Sequence, residues 1–305
     1  MALVNTQTLK LLDTAVKKSF NKGIDSVESE YQKLATTIPS SKGSNTYGWL
    51  GEMPDMVEWI GERTIKDIKT HSYSIKNKKF EGSISVDAVD IEDDDCGFLA
   101  PLAESLGARG QQHPDKLVFQ TMKEGETSLC YDGQNFFDTD HPVYENHDGT
   151  GAVTVVSNFD YDANSTEPFW YLLDTKKPLK PFIFQSRTKL VLTAMTKLDD
   201  ESVFMKDVFR WGTRVRQNSG YGFWQMAYKS NKPLTAENLN AAIAKMQSQT
   251  ADGGRELNIS PTLLVVPPTL RAQARELVKA DKDANGATNI NKDVVDVMST
   301  QRVVQ

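Results

Sequence analysis

Residues 71–87, HSYSIKNKKFEGSISVD, alternate apolar and polar side chains on both sides of a basic NKK turn. A period of two marks half-buried β-strands, so the stretch predicts a β-hairpin. His71, Tyr73 and Ile75 face one way on its first strand, and Phe80, Ile84 and Val86 do so on its second. A two-stranded ribbon is marginal in water, and this apolar face needs a further strand, a helix or another chain to cover it.

The chain is long enough to supply that cover. Its 305 residues, 39% hydrophobic and 25% charged, allow one large core or two moderate ones. The N-terminal residues MALVNTQTLKLLDTAVKKSF lack the apolar run of a secretory signal and no later segment is long enough to span a bilayer, so a cytosolic chain without membrane contact is expected. Only two cysteines occur, Cys96 and Cys130, with no CxxC pair, which predicts reduced thiols rather than a disulfide framework or a zinc cluster. A formal charge of −6 argues against a surface given over to nucleic acid. A local basic segment remains at Lys10, Lys17 and Lys18, which read first as a solvated helix face and second as DNA-facing.

Leu9, Leu12, Val16 and Phe20 recur at helical spacing and predict a helix from near Asn5 to Gly23. Asp25 and Glu28 suggest a capping box for a second helix with Val27, Tyr31 and Leu34 inward, stopped by Pro39. After the loop SSKGSNTYG, Pro54 opens a short helix carrying Trp49, Met56, Trp59 and Ile60 as anchors. DIEDDDCGFLAPLAESLGARGQQ puts carboxylates at the front of a helical pattern, and a further helix runs from Pro114 to about Met122. Residues 126–170 read as loop-dominated, and Lys180–Met195 with VFMKDVFRWGTRVRQNSGYGFWQMAY read as sheet. Thr235 caps a helix over 236–248, and TLLVVPPTLRAQARELV is a buried strand, a proline stop and a helix. The fold class is mixed α+β.

Catalytic chemistry finds little support. Asp138, Asp140, His141, His147 and Asp148 are close enough in sequence to contribute to a metal site, although turn formation and local hydrogen bonding explain them more simply. No GxxxxGK[ST], GxGxxG, HExxH or GxSxG pattern occurs. Arg210, Arg214 and Arg216, interleaved with aromatics, fit the outer positions of a half-buried sheet better than a base-stacking platform. No catalytic, cofactor or metal residue is expected.

Several blocks, in order, are similar to the major head subunit family of phage Mu and Mu-like prophages: SNTYGWLGEMPDMVEWIGERTI, YSIKNKKFEGSI, IEDDDCGFLAP, CYDGQNFFDTDHPVY, KPFIFQSR and GYGFWQMA. The resemblance runs from about residue 30 to about residue 280, and the two ends depart from it, especially VVDVMSTQRVVQ. It implies the Hong Kong 97-type capsid fold and a structural, non-enzymatic role: self-assembly through hexamers and pentamers into the icosahedral head of a tailed phage. A virion location follows, with assembly in the host bacterial cytoplasm. The implied organisation is an N-terminal arm over 1–45, an extended-loop region over 46–92, a spine helix and the start of a peripheral domain over 93–150, and the remaining peripheral and axial domain over 151–305. The implied partners are other copies of the chain, a separate scaffolding protein, a head protease, a portal, and double-stranded DNA held nonspecifically. On this reading Tyr73, Ile75, Lys76, Lys78, Lys79, Phe80 and Ile84 contact a neighbouring subunit, as do Leu9, Leu12, Val16 and Phe20 of the arm. An encapsulin-like compartment and, more remotely, a metal-dependent hydrolase using Asp138, Asp140 and His141 are the alternatives.

Overall fold

A computed structural model describes residues 5–48, 50, 73–93, 97–147, 149–283 and 285–304. The helices are α1 (Thr6–Asp25), α2 (Ala88–Glu92), α3 (Leu99–Lys123), α4 (Glu201–Lys206), α5 (Ala236–Gln247) and α6 (Arg271–Lys279). The strands before α4 are β1 (Ala35–Pro39), β2 (Ser44–Thr46), β3 (Ser74–Lys76), β4 (Lys78–Asp87), β5 (His141–Tyr144), β6 (Val153–Val156), β7 (Phe159–Asp160), β8 (Trp170–Leu173), β9 (Phe182–Ser186) and β10 (Leu192–Met195). After it come β11 (Val208–Tyr221), β12 (Ala227–Ser230), β13 (Thr250–Ala251), β14 (Arg255–Glu256), β15 (Leu263–Val266) and β16 (Asp296–Ser299). No described helix is long and apolar enough to cross a membrane.

Two five-stranded sheets organise the chain. In the first, β11 pairs antiparallel with β4 along one edge and with β10 and then β9 along the other, and β1 adds in parallel beyond β9. In the second, the order is β16-β15-β8-β12-β7. β11 alternates inward Phe209, Trp211, Thr213, Val215 and Gln217 with outward Arg210, Gly212, Arg214 and Arg216. The inward side carries α3, with α1 laid on α3. Leu117, Val118, Phe119 and Met122 of α3 join Phe182, Phe184, Tyr221 and Trp224 in the central core. Leu239, Ala242 and Met246 of α5, with Ala274 and Val278 of α6, cover the second sheet.

The sequence periodicities at α1, β4, α5, β15 and α6 recur as elements here, with Asn5 and Thr235 as N-caps. Three expectations change. Residues 27–34 form no α-helix: only a 3₁₀ turn at Tyr31–Lys33 precedes β1, because the β-branched run Thr36, Thr37 and Ile38 pairs with β9. The expected break before Pro114 is absent, and α3 continues through it as one 25-residue helix. There Asp115 accepts the Tyr31 N–H at 2.8 Å and meets Arg302 of the C-terminal turn at 3.3 Å, tying three distant segments together.

The third change concerns the opening stretch. β3 and β4 do not pair with each other: β3 pairs with β2, while β4 pairs with β11 over ten residues. Lys76-Asn77-Lys78 is therefore not a hairpin turn. Asn77 is a buried pin whose side-chain amide donates to Ser40 Oγ at 2.8 Å and to the Lys42 carbonyl at 2.9 Å. His71 and the expected helix at Pro54 lie outside the described residues.

Candidate assembly surfaces and a buried polar cluster

The β2–β3 pair brackets the chain between Tyr47 and Tyr73, whose backbones close with a 2.8 Å hydrogen bond from Tyr47 N to Tyr73 O. The register of β4 on β11 carries on through Asn77, so that Ile75 lies over Gly220. A side chain at Gly220 would strike both Ile75 and the Tyr73 hydroxyl, and that hydroxyl accepts the Tyr221 N–H at 2.7 Å. Burial holds the Tyr73 phenol well above its ordinary pKa. Ile75 and Ile84 are buried within the subunit, and Phe80 packs against the His113 ring of α3 with centroids 4.3 Å apart. The face expected to meet a neighbouring subunit is thus spent at home by Tyr73, Ile75, Phe80 and Ile84. Lys76, Lys78 and Lys79 remain exposed.

The N-terminal helix is corrected in the same sense. Leu9, Val16 and Phe20 are buried and Leu12 is partly buried, in one cluster with Leu99 and Ala103 of α3 and Trp211 of β11. The cause is a pair of glycines. A Cβ on Gly23 would run into the Glu104 carbonyl of α3, and one on Gly107 into the Phe20 carbonyl of α1, so the two backbones touch where both side chains are missing. Trp211 Nε1 donates to Asp13 Oδ1 at 3.1 Å, and Lys22 meets Glu104 at 2.9 Å. Lys10 and Lys18 are exposed, and Lys17 pairs with Asp13 at 2.6 Å.

The residues offered for metal chemistry do not converge as their sequence order suggests. Asp138 shapes its own loop, accepting from Asn135 N at 3.2 Å and Thr139 N at 2.8 Å, and Asp140 is exposed. His147 is exposed beside Gly253, and Asp148 lies outside the described residues. His141 is instead drawn to Asp132 and Cys130. Asp132 Oδ2 lies 2.7 Å from His141 Nδ1, its Oδ1 accepts from Cys130 Sγ at 3.0 Å, and the His141 ring stacks on Trp224 at 3.9 Å. Burial is the largest single influence on Asp132 and opposes its ionisation, but contact with His141 and the hydrogen bonds from Cys130 Sγ and Gln134 N together outweigh it and hold the carboxyl below its ordinary range. His141 Nε2 is buried with no hydrogen-bond partner among the described residues. The Cys130, Asp132 and His141 atoms that face one another are already hydrogen-bonded together, and no fourth ligand group joins these three among the described residues, so the cluster is a poor fit to a metal centre. It is a polar pin under β5.

A pH dependence follows. Because the Asp132 pKa is depressed in the folded state, its stabilisation is present above the ordinary carboxylate pKa and is lost as pH falls through the lower folded value. Thermal melts of the wild type should lose stability across that acid window. Asp132→Asn should lose less of it there and melt lower at neutral pH, and parallel acid profiles would contradict the assignment.

The described residues thus form two five-stranded sheets packed by helices, with a two-stranded pair at the loop root. The family model for the Mu-like prophage major head subunit gpT matches residues 9–303. The chain belongs to that family. It is 43% identical over 293 residues to the major capsid protein of Escherichia phage Mu, covering 96% of each chain. To the Mu-like prophage FluMu major head subunit of Haemophilus influenzae it is 44% identical over 294 residues, again with 96% of each covered. Among solved structures, the procapsid of bacteriophage JBD30 superposes with a TM-score of 0.87 at 49% identity, over 98% of this chain and all of the other.

The fold is accordingly of the Hong Kong 97 capsid type, and the Mu-like head subunit is a major capsid protein, a virion component rather than an enzyme. In that light the glycine contact and the Asn77 pin are construction features of a shell subunit. Sequence reasoning missed both. Gly23 reads as a helix stop and Gly107 as a weak point in a helix, and nothing local links them across 84 residues. It also missed Lys229, whose ammonium is wholly buried 3.0 Å from Glu126 Oε2, with the Phe169 ring centre 4.1 Å away. A lysine in the strand AYKS carries no outward sign of burial.

Proposed function

We propose that this major capsid subunit self-assembles, through hexamers and pentamers, into the closed icosahedral head that encloses the double-stranded DNA of a Mu-like tailed phage. Assembly takes place in the bacterial host cytoplasm with a separate scaffolding protein, a head protease and a portal. The observation that carries this reading is the full-length superposition on a procapsid chain at 49% identity. Within the subunit, the first sheet with α3 as spine corresponds to the peripheral part. The second sheet with α5 and α6 corresponds to the axial part near a capsomer centre. The chain that leaves β2 and returns at β3 takes the place of the extended loop, and α1 takes that of the arm's helix. Contacts between copies are small individually and multiply by simultaneous engagement in a closed lattice. Lys76 and Lys78, exposed beside the loop root, meet carboxylates of an adjoining subunit.

The test is co-expression with the scaffolding protein encoded beside it, followed by negative-stain microscopy. Closed shells are expected; a monomer with no rings or shells under those conditions would overturn the reading. Lys10, Lys17 and Lys18 face the packaged DNA as a salt-sensitive, sequence-independent contact. Replacing all three with glutamine should make filled heads release DNA at lower salt, and unchanged DNA retention at every salt concentration would refute that role.

A further inference from the structure

α6 carries opposite charges on its two flanks. Ala274 and Val278 point into the core beneath the helix. At one turn per 3.6 residues, Arg271 and Arg275 fall on one side of that buried line, and Gln273, Glu276 and Leu277 fall on the other. Both arginines are exposed. Lys279, the next cation on their flank, is taken by Asp293 at 2.8 Å and Asp296 at 3.3 Å. Arg271 and Arg275 form no ion pair among the described residues.

The other flank borders a groove of about 610 Å³ between the start of α5, the far end of α6 and the loop over residues 281–291. Leu234, which is buried, and Leu277, which is partly buried, give it an apolar floor. Its charged groups are Glu237, Glu276 and Asp283, with no lysine or arginine in the lining. None of these carboxylates forms an ion pair among the described residues. Side-chain amides fix the walls: Gln273 Nε2 donates to the Leu234 carbonyl at 2.9 Å, and Asn289 Nδ2 to the carbonyls of Leu277 at 2.9 Å and Ala280 at 3.0 Å. Ile290 also lines the groove and is 83% exposed. An apolar floor and an exposed isoleucine inside a polar, charged rim are the anatomy of a protein contact.

We infer that this groove seats the Arg271 and Arg275 flank of α6 from a second copy, so that neighbouring subunits join head to tail through one helix. This rests on the shell reading above and adds which two patches meet. They lie on opposite sides of a helix about 10 Å across and face apart, so they do not meet within one subunit. A contact between two different patches repeats by rotation and closes a ring, as a capsomer requires. Arginine suits the groove, since its aliphatic stem covers Leu277 and Ile290 while its guanidinium reaches the carboxylates. A cationic segment of the scaffolding protein is the competing occupant. The unpaired arginines on the same helix, matched in charge to the groove, favour the second copy.

Charge reversal and cross-linking test it. Arg271→Glu with Arg275→Glu should leave a folded subunit, shown by its far-UV spectrum and melt, but cut shell yield about tenfold or more in scaffold co-expression. Glu237→Lys with Glu276→Lys should do the same, and all four substitutions in one chain should bring shells back. Glu237→Cys combined with Arg271→Cys or with Arg275→Cys should give, from at least one pairing, a ladder of disulfide-linked multimers from oxidised shells. On non-reducing gels that ladder should stop at pentamers and hexamers, because the ring closes within a capsomer, and it should be absent from every single variant. The cysteine pairs decide the matter if a reversal variant unfolds. Failure of the combined chain to recover, an intrachain disulfide, or linked species that stop at dimers or do not form would each overturn the proposal while the capsid reading stands. So would normal shells from either reversal; shells lost on groove reversal alone would assign the groove to the scaffolding protein. Failure of the wild-type chain itself to form shells would instead strike the capsid reading.

Discussion

Gly107→Ala is expected to lower the unfolding free energy of the unassembled subunit by about 3 kcal/mol, the upper range for overpacking, because the atom it meets is the Phe20 backbone carbonyl, which can move only if α1 moves. Helix propensity alone predicts the opposite sign, a gain of about 1 kcal/mol on replacing a mid-helix glycine with alanine. The clash outweighs that gain, and Gly23→Ala, which meets the Glu104 carbonyl, should behave alike. Gly110→Ala is the control in the same helix. Its added methyl would meet the end of the Leu190 side chain, which can rotate aside, so the change should be near neutral. Urea unfolding of the three variants measures the difference, and equal effects at Gly107 and Gly110 would mean that α1 does not lie on α3.

The buried ion pair gives the second large effect. Glu126→Gln leaves the Lys229 ammonium without its counter-charge in an aromatic cage, and should cost about 2–3 kcal/mol. That figure lies below the range for a fully buried pair because Glu126 is 32% exposed and partly screened. Lys229→Met removes the charge and keeps the volume, so it should stay within about 1 kcal/mol of the wild type or exceed it. Burial pushes the Lys229 pKa down, with Glu126 opposing. A depressed lysine pKa means that the unfolded chain binds more protons between the folded and unfolded values, so stability rises with pH in that alkaline window. The wild type should therefore gain on Lys229→Met as pH rises toward the ordinary lysine value of about 10.4. A larger loss in Lys229→Met than in Glu126→Gln would show the lysine to be net stabilising.

What could be read from the sequence divides along a physical line. Local signals held: the Leu9, Val16 and Phe20 stripe, the Thr235 cap and the buried run LLVV are each set by residues within a turn or a strand of one another. Period-two alternation at 73–87 correctly gave strand, yet a strand's partner is not local information. β4 finds β11 about 130 residues away, and β3 finds β2 across the loop, so the basic NKK between them resembled a turn when it is a pin. The same limit hid the polar cluster. His141 lies beside Asp138 and Asp140 in sequence, but the chain reversal at Asp132 brings a different carboxylate to its ring. Substituting Ile75 and Ile84 with aspartate would accordingly damage the subunit's own core rather than a clamp on a neighbour, since both are buried at home.

Each copy is a self-contained body in this fold, with α1 held on its own α3. A cryo-electron microscopy reconstruction of heads assembled from the full chain measures this most directly. It should show Gly23 against Glu104 and Gly107 against Phe20 within every subunit. Density tracing α1 of one copy onto α3 of another would contradict it.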